Sequence, residues 1–325
     1  ITGGRYEKNI TTYTSTQGYA GISSWMEYSS NRVTHSRINK FWLPMYMLRV
    51  RPTDWFDIRF AQTNTLSRPN YTQILPFWYV RPTSVSWKNA DLKVARSLNN
   101  DLYFSVNQQH IGLLTLGMFT KRIEDLIFSV SRKIIIDPEE YGLDEDQKMK
   151  FINGVTMNNP YAVEMRGMEV DWQTRFWYLP GFLNGFVLNM NYTYIKSKAQ
   201  YPRTEIVTTY YFEPYFRAEM TNVDTFYTDR LIDQPNNIAN IAIGYDRKGF
   251  SARLSMLHIS QVFQRTDFWK ELRQSTDDYT RWDFSVKQDL PWYGLQIYGN
   301  INNITGSVDR NLVRGKGFPS SEQHY

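Results

Sequence analysis

The side chains that most often do covalent chemistry are few here and poorly placed for it. Four histidines, His35, His110, His258 and His324, are scattered along 325 residues. None forms an HExxH string or any close pair, so a zinc site is not indicated. No GxSxG elbow, P-loop or GxGxxG string occurs. The adjacent carboxylates Glu139 and Glu140 are too ordinary a pair to imply glycosidase chemistry, which needs two acids held apart across a sugar. With no cysteine, the chain has neither a disulfide framework nor a thiolate metal site. That absence also fits exposure to an oxidising periplasm. The string DPEEYGLDED, with Asp137, Glu139, Glu140, Asp144, Glu145 and Asp146, departs from a calcium loop, whose acids alternate before a Gly and a distal Glu. It reads as a solvated acidic loop. The residues therefore point away from an enzyme, and they call for no metal or cofactor.

What remains is recognition by rings. Aromatic residues make up 16% of the chain, with 23 Tyr, 19 Phe and 10 Trp. Many fall in long segments between strand-like runs. Segment 66–96 holds Phe77, Trp78, Tyr79 and Trp87. Segment 198–235 holds Tyr210, Tyr211, Phe212, Tyr215, Phe216 and Arg217. Segment 263–278 holds Phe268 and Trp269. Rings of this kind stack on sugars, peptides or the aryl groups of a chelate, or pack on one another to hold loops in place. Long loops in compact proteins are uncommon unless functional. The candidates for ligand contact are Trp78, Tyr79, Trp87, Tyr210, Tyr211, Arg217 and Trp269.

The elements that must position these loops have a marked rhythm. Strand-like runs are predicted near 1–14, 39–50, 55–65, 97–107, 113–122, 161–177, 185–197, 236–245, 250–262, 279–288 and 295–303. Long gaps at 15–38, 66–96, 123–160, 198–235 and 263–278 alternate without a break with short gaps at 51–54, 108–112, 178–184, 246–249 and 289–294. Tight turns at one end and large loops at the other are the pattern of an outer-membrane β-barrel. The turn chemistry agrees: Pro52, Gly249, and the Pro–Gly pairings of 179–185 and 289–294.

Composition is compatible with that reading. The chain is 42% apolar, with mean hydropathy −0.52. A bundle of membrane helices is not so polar, whereas a barrel shows lipid only every second residue. The longest nearly apolar run, 111–119, falls short of the ~18 residues of a spanning helix. The net charge of +5 comes without a Lys/Arg block, so no nucleic-acid footprint is read. The excess suits anionic lipopolysaccharide. The chain opens ITGGRYEKN, inside a strand and without Met, and is taken as a piece of a longer polypeptide.

Alternation fixes the faces. Met168, Val170 and Trp172 oppose Glu169, Asp171, Gln173 and Arg175. Phe56, Ile58 and Phe60 oppose Asp57 and Arg59. Phe250, Ala252, Leu254 and Met256 oppose Ser251 and Arg253. Trp282, Phe284 and Val286 oppose Asp283 and Lys287. In a soluble sandwich the polar face would simply meet solvent. Two features favour a bilayer: the strands run to ten residues or so, enough to cross at a tilt, and aromatic pairs such as Trp55–Phe56, Trp177–Tyr178 and Trp292–Tyr293 sit beside the short turns, where an interfacial girdle belongs. The fold class is all-β, an antiparallel transmembrane barrel segment of about eleven strands.

Several strings resemble one family. LRVRPTDWFDIRFAQTNTLSRPNY (48–71), NADLKVARSLNNDLYFSV (89–106), GLLTLGMFTKRIEDLI (112–127) and RGMEVDWQTRFWYLPGFLNGFVLNMNYTYIKSKA (166–199) are similar to the C-terminal half of a TonB-dependent outer-membrane receptor. GFSARLSM (249–256) and GNINNITG (299–306) continue the likeness in order. Arg68, Pro69 and Tyr71 match the family's Arg-Pro-x-Tyr loop entry, while Ala90 and Val94 stand where prolines are usual. The manner of the strands and insertions resembles members from Bacteroidetes-type bacteria, some of which pair with a surface lipoprotein. The resemblance implies a plugged barrel of about 22 strands, with residues 1–325 as its C-terminal part. The plug, the N-terminal strands, the TonB-engaging segment and the last strand are expected outside this chain. It further implies active import of a scarce nutrient, energised through TonB, with loops and plug capturing the ligand. On that basis the inward-facing Asp57, Arg59, Glu169, Asp171, Arg175, Arg253, Asp283 and Lys287 are expected to contact the plug. Siderophore, cobalamin, haem, oligosaccharide and peptide stay open as cargo, haem being disfavoured by the lack of a His pair. The alternatives are a passive porin or structural barrel of a secretion or adhesion machine, and a soluble β-rich carbohydrate-binding protein.

Overall fold

The computed structural model describes residues 1–20, 26–75, 77–267, 269–313, 316–317 and 323–324. Eleven wall strands follow in chain order: β1 (Thr2–Ala20), β2 (Met26–Thr53), β3 (Phe56–Ser67), β4 (Ala95–Gln108), β5 (Gly112–Glu124), β6 (Val163–Arg175), β7 (Phe186–Tyr211), β8 (Asn237–Arg247), β9 (Phe250–Ile259), β10 (Tyr279–Asp289) and β11 (Gln296–Ile301). Each pairs antiparallel with the next, so the wall is an uninterrupted meander.

The short turns have the predicted chemistry. Arg247 pairs with Phe250, leaving only Lys248 and Gly249 in the turn, with φ of 48° and 79°. Two positive φ values in a two-residue loop match the twist of the flanking strands. Gly112 opens β5 at φ 78°, and a Cβ there would meet the Gln173 carbonyl at 2.2 Å. No other residue fits that position.

Side chains segregate by face. Tyr6, Trp42, Leu48, Phe60, Leu116, Met118, Met168, Ile243, Leu254 and Ile297 are all exposed on the outer side. Near the short turns Trp172, Phe176, Trp177 and Tyr178 touch edge to face, and Trp172 and Trp177 each donate their indole N–H to a backbone carbonyl. Rings with one wet end and one apolar end suit a membrane interface.

Two long gaps turn out to be largely strand. Segment 15–38 carries β1 to Ala20 and starts β2 at Met26. Segment 198–235 carries β7 to Tyr211, partnered by a further strand Arg217–Asp229. The first extension is largely polar in sequence, and the second buries Ala199, Tyr201 and Thr204 under the loops rather than facing lipid, so the lipid–lumen alternation flags neither. Thr, Tyr and Val still favour extended backbone. Hydroxyl pairs stitch the first hairpin, Thr12–Ser36 and Thr14–Thr34 both at 2.9 Å. Such strands continue past the apolar band into water.

The buried core lies elsewhere, among the long connections. Short strands Phe77–Val80 and Ser84–Trp87 pair with each other, Phe77–Val80 runs parallel to the end of β1, and Ser84–Trp87 runs parallel to Phe151–Ile152. Ile127–Val130 pairs with Val155–Asn158. Val80, Val85, Trp87, Phe128, Ile135, Ile152, Val155 and Tyr201 meet in one apolar cluster. The loops thus form a folded cap over the wall.

Candidate functional site

The cap is organised around Tyr201, which is fully buried. Its ring lies 5.6 Å from Phe128, 5.5 Å from Tyr227 and 5.9 Å from Phe263. Its hydroxyl donates to the Arg230 carbonyl (3.1 Å) and accepts from the Ile232 amide (2.9 Å). One side chain therefore ties three loops to β7. Burial pushes its phenol pKa up, so it is neutral.

A second tie is ionic. Lys133, buried, donates to Asp224 at 2.8 Å and to the Tyr141 hydroxyl at 2.6 Å. Burial alone would lower its pKa, but the hydrogen bonds to Asp224 and Tyr141 outweigh it and hold the ammonium above the ordinary lysine range. The acidic string adjoins this tie as two short 3₁₀ turns, Glu139–Tyr141 and Glu145–Gln147. Among the described residues no three His, Asp or Glu side chains are grouped to hold a metal.

The ring candidates differ in burial and in place. Trp87 is buried and packs 5.4 Å from Tyr141, so it serves the cap's interior and has almost no surface to offer a ligand. Trp78 is half-buried against the same core. Tyr79 carries Arg81 over its ring at 4.7 Å. By contrast Tyr210 is 58% exposed and Trp269 52%. Tyr210 stacks on Phe216, and Arg217 lies 4.5 Å over Tyr211, at the tip of the β7 hairpin. The candidates thus occupy three places: the cap interior (Trp78, Tyr79, Trp87), the hairpin tip (Tyr210, Tyr211, Arg217) and loop 263–278 (Trp269). Phe268 lies outside the described residues.

The inward polar face is a network. Asp57 accepts from three guanidinium groups: Arg49 at 2.5 Å, Arg51 at 3.1 Å and Arg59 at 2.6 Å. Arg253 grips Asp246 with two bonds of 2.8 and 2.6 Å. Asp283 accepts from Arg281 and from the Asn303 amide. Gln173 donates to Asp171 (3.2 Å), and Lys287 pairs with Asp289 (3.3 Å). Glu169 and Asp171 lie two apart on β6 with Arg175 beyond them, opposite Thr193, Asn191 and Val187 of β7. Arg49 and Arg51 were not among the sequence candidates. Arg49 sits directly across from Arg59, and the alternation of LRVRP already puts Arg49 and Arg51 on one face. Lys133 and Tyr201 left no such trace, since neither belongs to an apolar–polar alternation.

The histidines stay apart. His35 stacks on Tyr13 at 5.6 Å. His110 lies in a short turn against Trp177 and Tyr178. His258 bonds Thr280 on the apolar side of β9. The His324 side chain lies outside the described residues.

Known proteins give these features a context. The family model described as TonB dependent receptor-like, beta-barrel matches residues 1–304. No curated protein matches in sequence. Among solved structures, the hemophore receptor HasR of Serratia marcescens, a double mutant in complex with its hemophore HasA and heme, superposes at TM-score 0.59 with 14% identity, over 94% of this chain and 45% of that one. The ferric enterobactin receptor PfeA of Pseudomonas aeruginosa, a mutant in complex with enterobactin, gives 0.55 and 14%, over 88% and 38%. The siderophore receptor PiuA of Acinetobacter baumannii gives 0.56 and 12%, over 99% and 38%. At these identities the likeness concerns fold. The chain spans less than half the length of each.

Proposed function

This chain belongs to the TonB-dependent receptor β-barrel family, and from that premise we propose that it forms part of an outer-membrane importer energised through TonB. The family lies in the outer membrane, and its long loops face outward. The observation that carries the reading is the inversion of burial. The wall exposes its apolar face while the loops hold the dry core. A wall of that kind needs lipid, and a cap of that kind holds binding groups in fixed positions.

Within the apolar band β1 and β11 are paired on one side only among the described residues. An open sheet edge is not tolerated in hydrocarbon, so further strands close the barrel. Residues 1–325 then act as its C-terminal part, around a plug held by the inward polar face. Asp57 with its three arginines, Glu169, Asp171, Arg175, Arg253, Asp283 and Lys287 supply the hydrogen bonds. Tyr210, Tyr211, Arg217 and Trp269 at the mouth take first contact with a scarce, ring-bearing or anionic nutrient.

The test is uptake by cells carrying the full native chain. A panel of ferric chelates, haem, cobalamin, copper and oligosaccharides would be offered with and without TonB. Accumulation of one member that stops when TonB is deleted supports the proposal. Uptake indifferent to TonB would mean a passive pore. In the same cells Asp57→Asn should admit large antibiotics before it changes which nutrient is chosen; unchanged permeability would remove the assigned role of the inward network.

A further inference from the structure

The outward face of β3–β7 changes character within two residues of each strand, and the register makes this visible. Phe60, Leu102, Met118, Met168 and Tyr194 face one another in one row across five strands. The next outward row is Gln62, Asn100, Thr120, Arg166 and Lys196. The row after that is Asn64, Leu98, Arg122, Glu164 and Lys198. An apolar row is therefore followed by an amide–hydroxyl–cation row, then by a charged one, toward the long-loop end. A row order of this kind is what a wall strand needs where hydrocarbon gives way to headgroups at the long-loop end.

Two adjoining grooves lie on that boundary. The lower, of about 530 Å³, is lined by Phe60, Leu102, Met118, Met168 and Tyr194 and ends at Arg166 and Lys196. The upper, of about 420 Å³, shares Asn100, Thr120, Arg166 and Lys196 with it and adds Arg122, Glu164 and Lys198. Gln62 donates to Asn100 (2.7 Å) and Asn100 to Thr120 (3.2 Å), so the neutral part of the row is already satisfied. The cations are not. Arg122 is shared between Glu124 (3.5 Å) and Glu164 (3.8 Å). Arg166, Lys196 and Lys198 are exposed, and none has a carboxylate within ion-pair distance among the described residues. Cations left unpaired at the head of an apolar groove complement an amphiphile with an anionic head.

We propose that the outward face of β4–β7 binds a phosphate-bearing lipid of the outer leaflet, with phosphate at Arg166, Lys196 and Lys198 and an acyl chain in the groove below. Phosphate suits the site because guanidinium and ammonium groups offer it several strong donors at once. Glu124 and Glu164 hold Arg122 and set the upper limit of the cationic patch. The proposal rests on the outer-membrane reading but not on import, since the site faces away from the lumen.

The test uses the full native chain, delipidated in detergent and titrated with the bis-phosphorylated lipid anchor of lipopolysaccharide under native mass spectrometry. A charge near an anionic headgroup is worth ~1 kcal/mol, so Arg166→Gln with Lys196→Gln should weaken binding about 30-fold. Arg166→Lys with Lys196→Arg should keep it. Heat-modifiable gel migration verifies that each variant is a folded barrel. The dephosphorylated lipid should bind as weakly as the double Gln variant. Equal lipid affinity in that variant overturns the proposal. So does competition by inorganic phosphate as effective as the lipid, which would make this a site for a free anion. Loss of nutrient uptake with lipid binding intact would count against the import reading alone.

Discussion

The wall and the cap solve opposite problems with one chain. In the wall, Leu116, Met118 and Met168 turn outward and stay exposed, and the interior side carries Asp57, Arg253 and Asp283 in ion pairs. In the cap, Val85, Ile135, Ile152 and Tyr201 turn inward until no surface is left, and charge lies mostly outside. The wall draws its stability from backbone pairing and from a solvent other than water. The cap depends on the ordinary hydrophobic effect. The same substitution should therefore have opposite consequences in the two regions.

The largest expected effect is at the centre of the cap. Tyr201→Ala removes a ring packed against Phe128, Tyr227 and Phe263 together with two hydrogen bonds. Truncating a buried aromatic costs about 3–5 kcal/mol. The loss should stay local: amide exchange in 127–158 and 260–276 speeds up while the wall strands remain protected in detergent. Uniform loss of protection would mean that wall and cap are one cooperative unit, and the comparison would fail. Tyr201→Phe separates the terms, costing only the hydroxyl's share of about 1–3 kcal/mol.

Next comes the wall's outer face. Leu116→Arg places a charge among the rows that meet lipid, at a cost of about 2–4 kcal/mol near the bilayer middle. Refolding into bilayers measures it. The same change at Leu75, a 43% exposed loop residue, should cost less than ~0.5 kcal/mol. A tolerated arginine at position 116 would show that this face is not in hydrocarbon.

The contrast also explains what could be read without coordinates. Strands β3 to β6 and β8 to β10 stood out because each separates lipid from a polar interior, and that boundary writes an alternation into residues such as Met168–Glu169–Val170–Asp171. The upper halves of β1 and β2 pair hydroxyls across the hairpin, so Thr34 and Ser36 leave no apolar stripe and 15–38 reads as loop, although their partners Thr14 and Thr12 close the predicted run 1–14. The upper half of β7 turns Ala199, Tyr201 and Thr204 into the cap, where no lipid-facing alternation marks them. The cap's core was illegible for another reason. Val85, Phe128, Ile135 and Ile152 come from separate short segments, and only the folded register gathers them. Trp87 illustrates the limit: a loop tryptophan is a reasonable ligand candidate until its burial against Tyr141 is known.

A smaller effect is expected at the ionic tie between loops. Asp224→Asn leaves Lys133 buried with Tyr141 as its main partner. Breaking a fully buried pair costs about 3–5 kcal/mol, but Asp224 is 41% exposed, so solvent screening brings the expectation to about 1–2 kcal/mol. The sign with pH follows from the raised pKa of Lys133. Its contribution is fully present below the ordinary lysine value of ~10.4 and is lost as pH rises through the higher folded value. Tyr141 is also raised, chiefly by burial, and acts in the same direction. Proteolysis of loop 123–160 should therefore be flat through neutral pH and accelerate only in strong alkali. In Asp224→Asn that onset moves to lower pH. An acidic onset in the parent chain would assign the tie to some other group.

The smallest effect on stability, and the sharpest on function, is expected at the hairpin tip. Tyr210 is 58% exposed and touches Phe216 alone among the rings described. Tyr210→Ala should change stability by less than ~0.5 kcal/mol. If the tip meets cargo, an exposed ring of this kind is worth about 1–2 kcal/mol of binding, or roughly tenfold in affinity at the midpoint. Trp87→Ala should do the reverse, loosening the cap by about 3–5 kcal/mol and weakening binding only through that loosening. Measured side by side on the intact receptor, the two variants separate residues that hold the cap from residues that meet the nutrient. Identical losses of binding at unchanged stability would place Trp87 at the ligand surface and redraw the cap's interior.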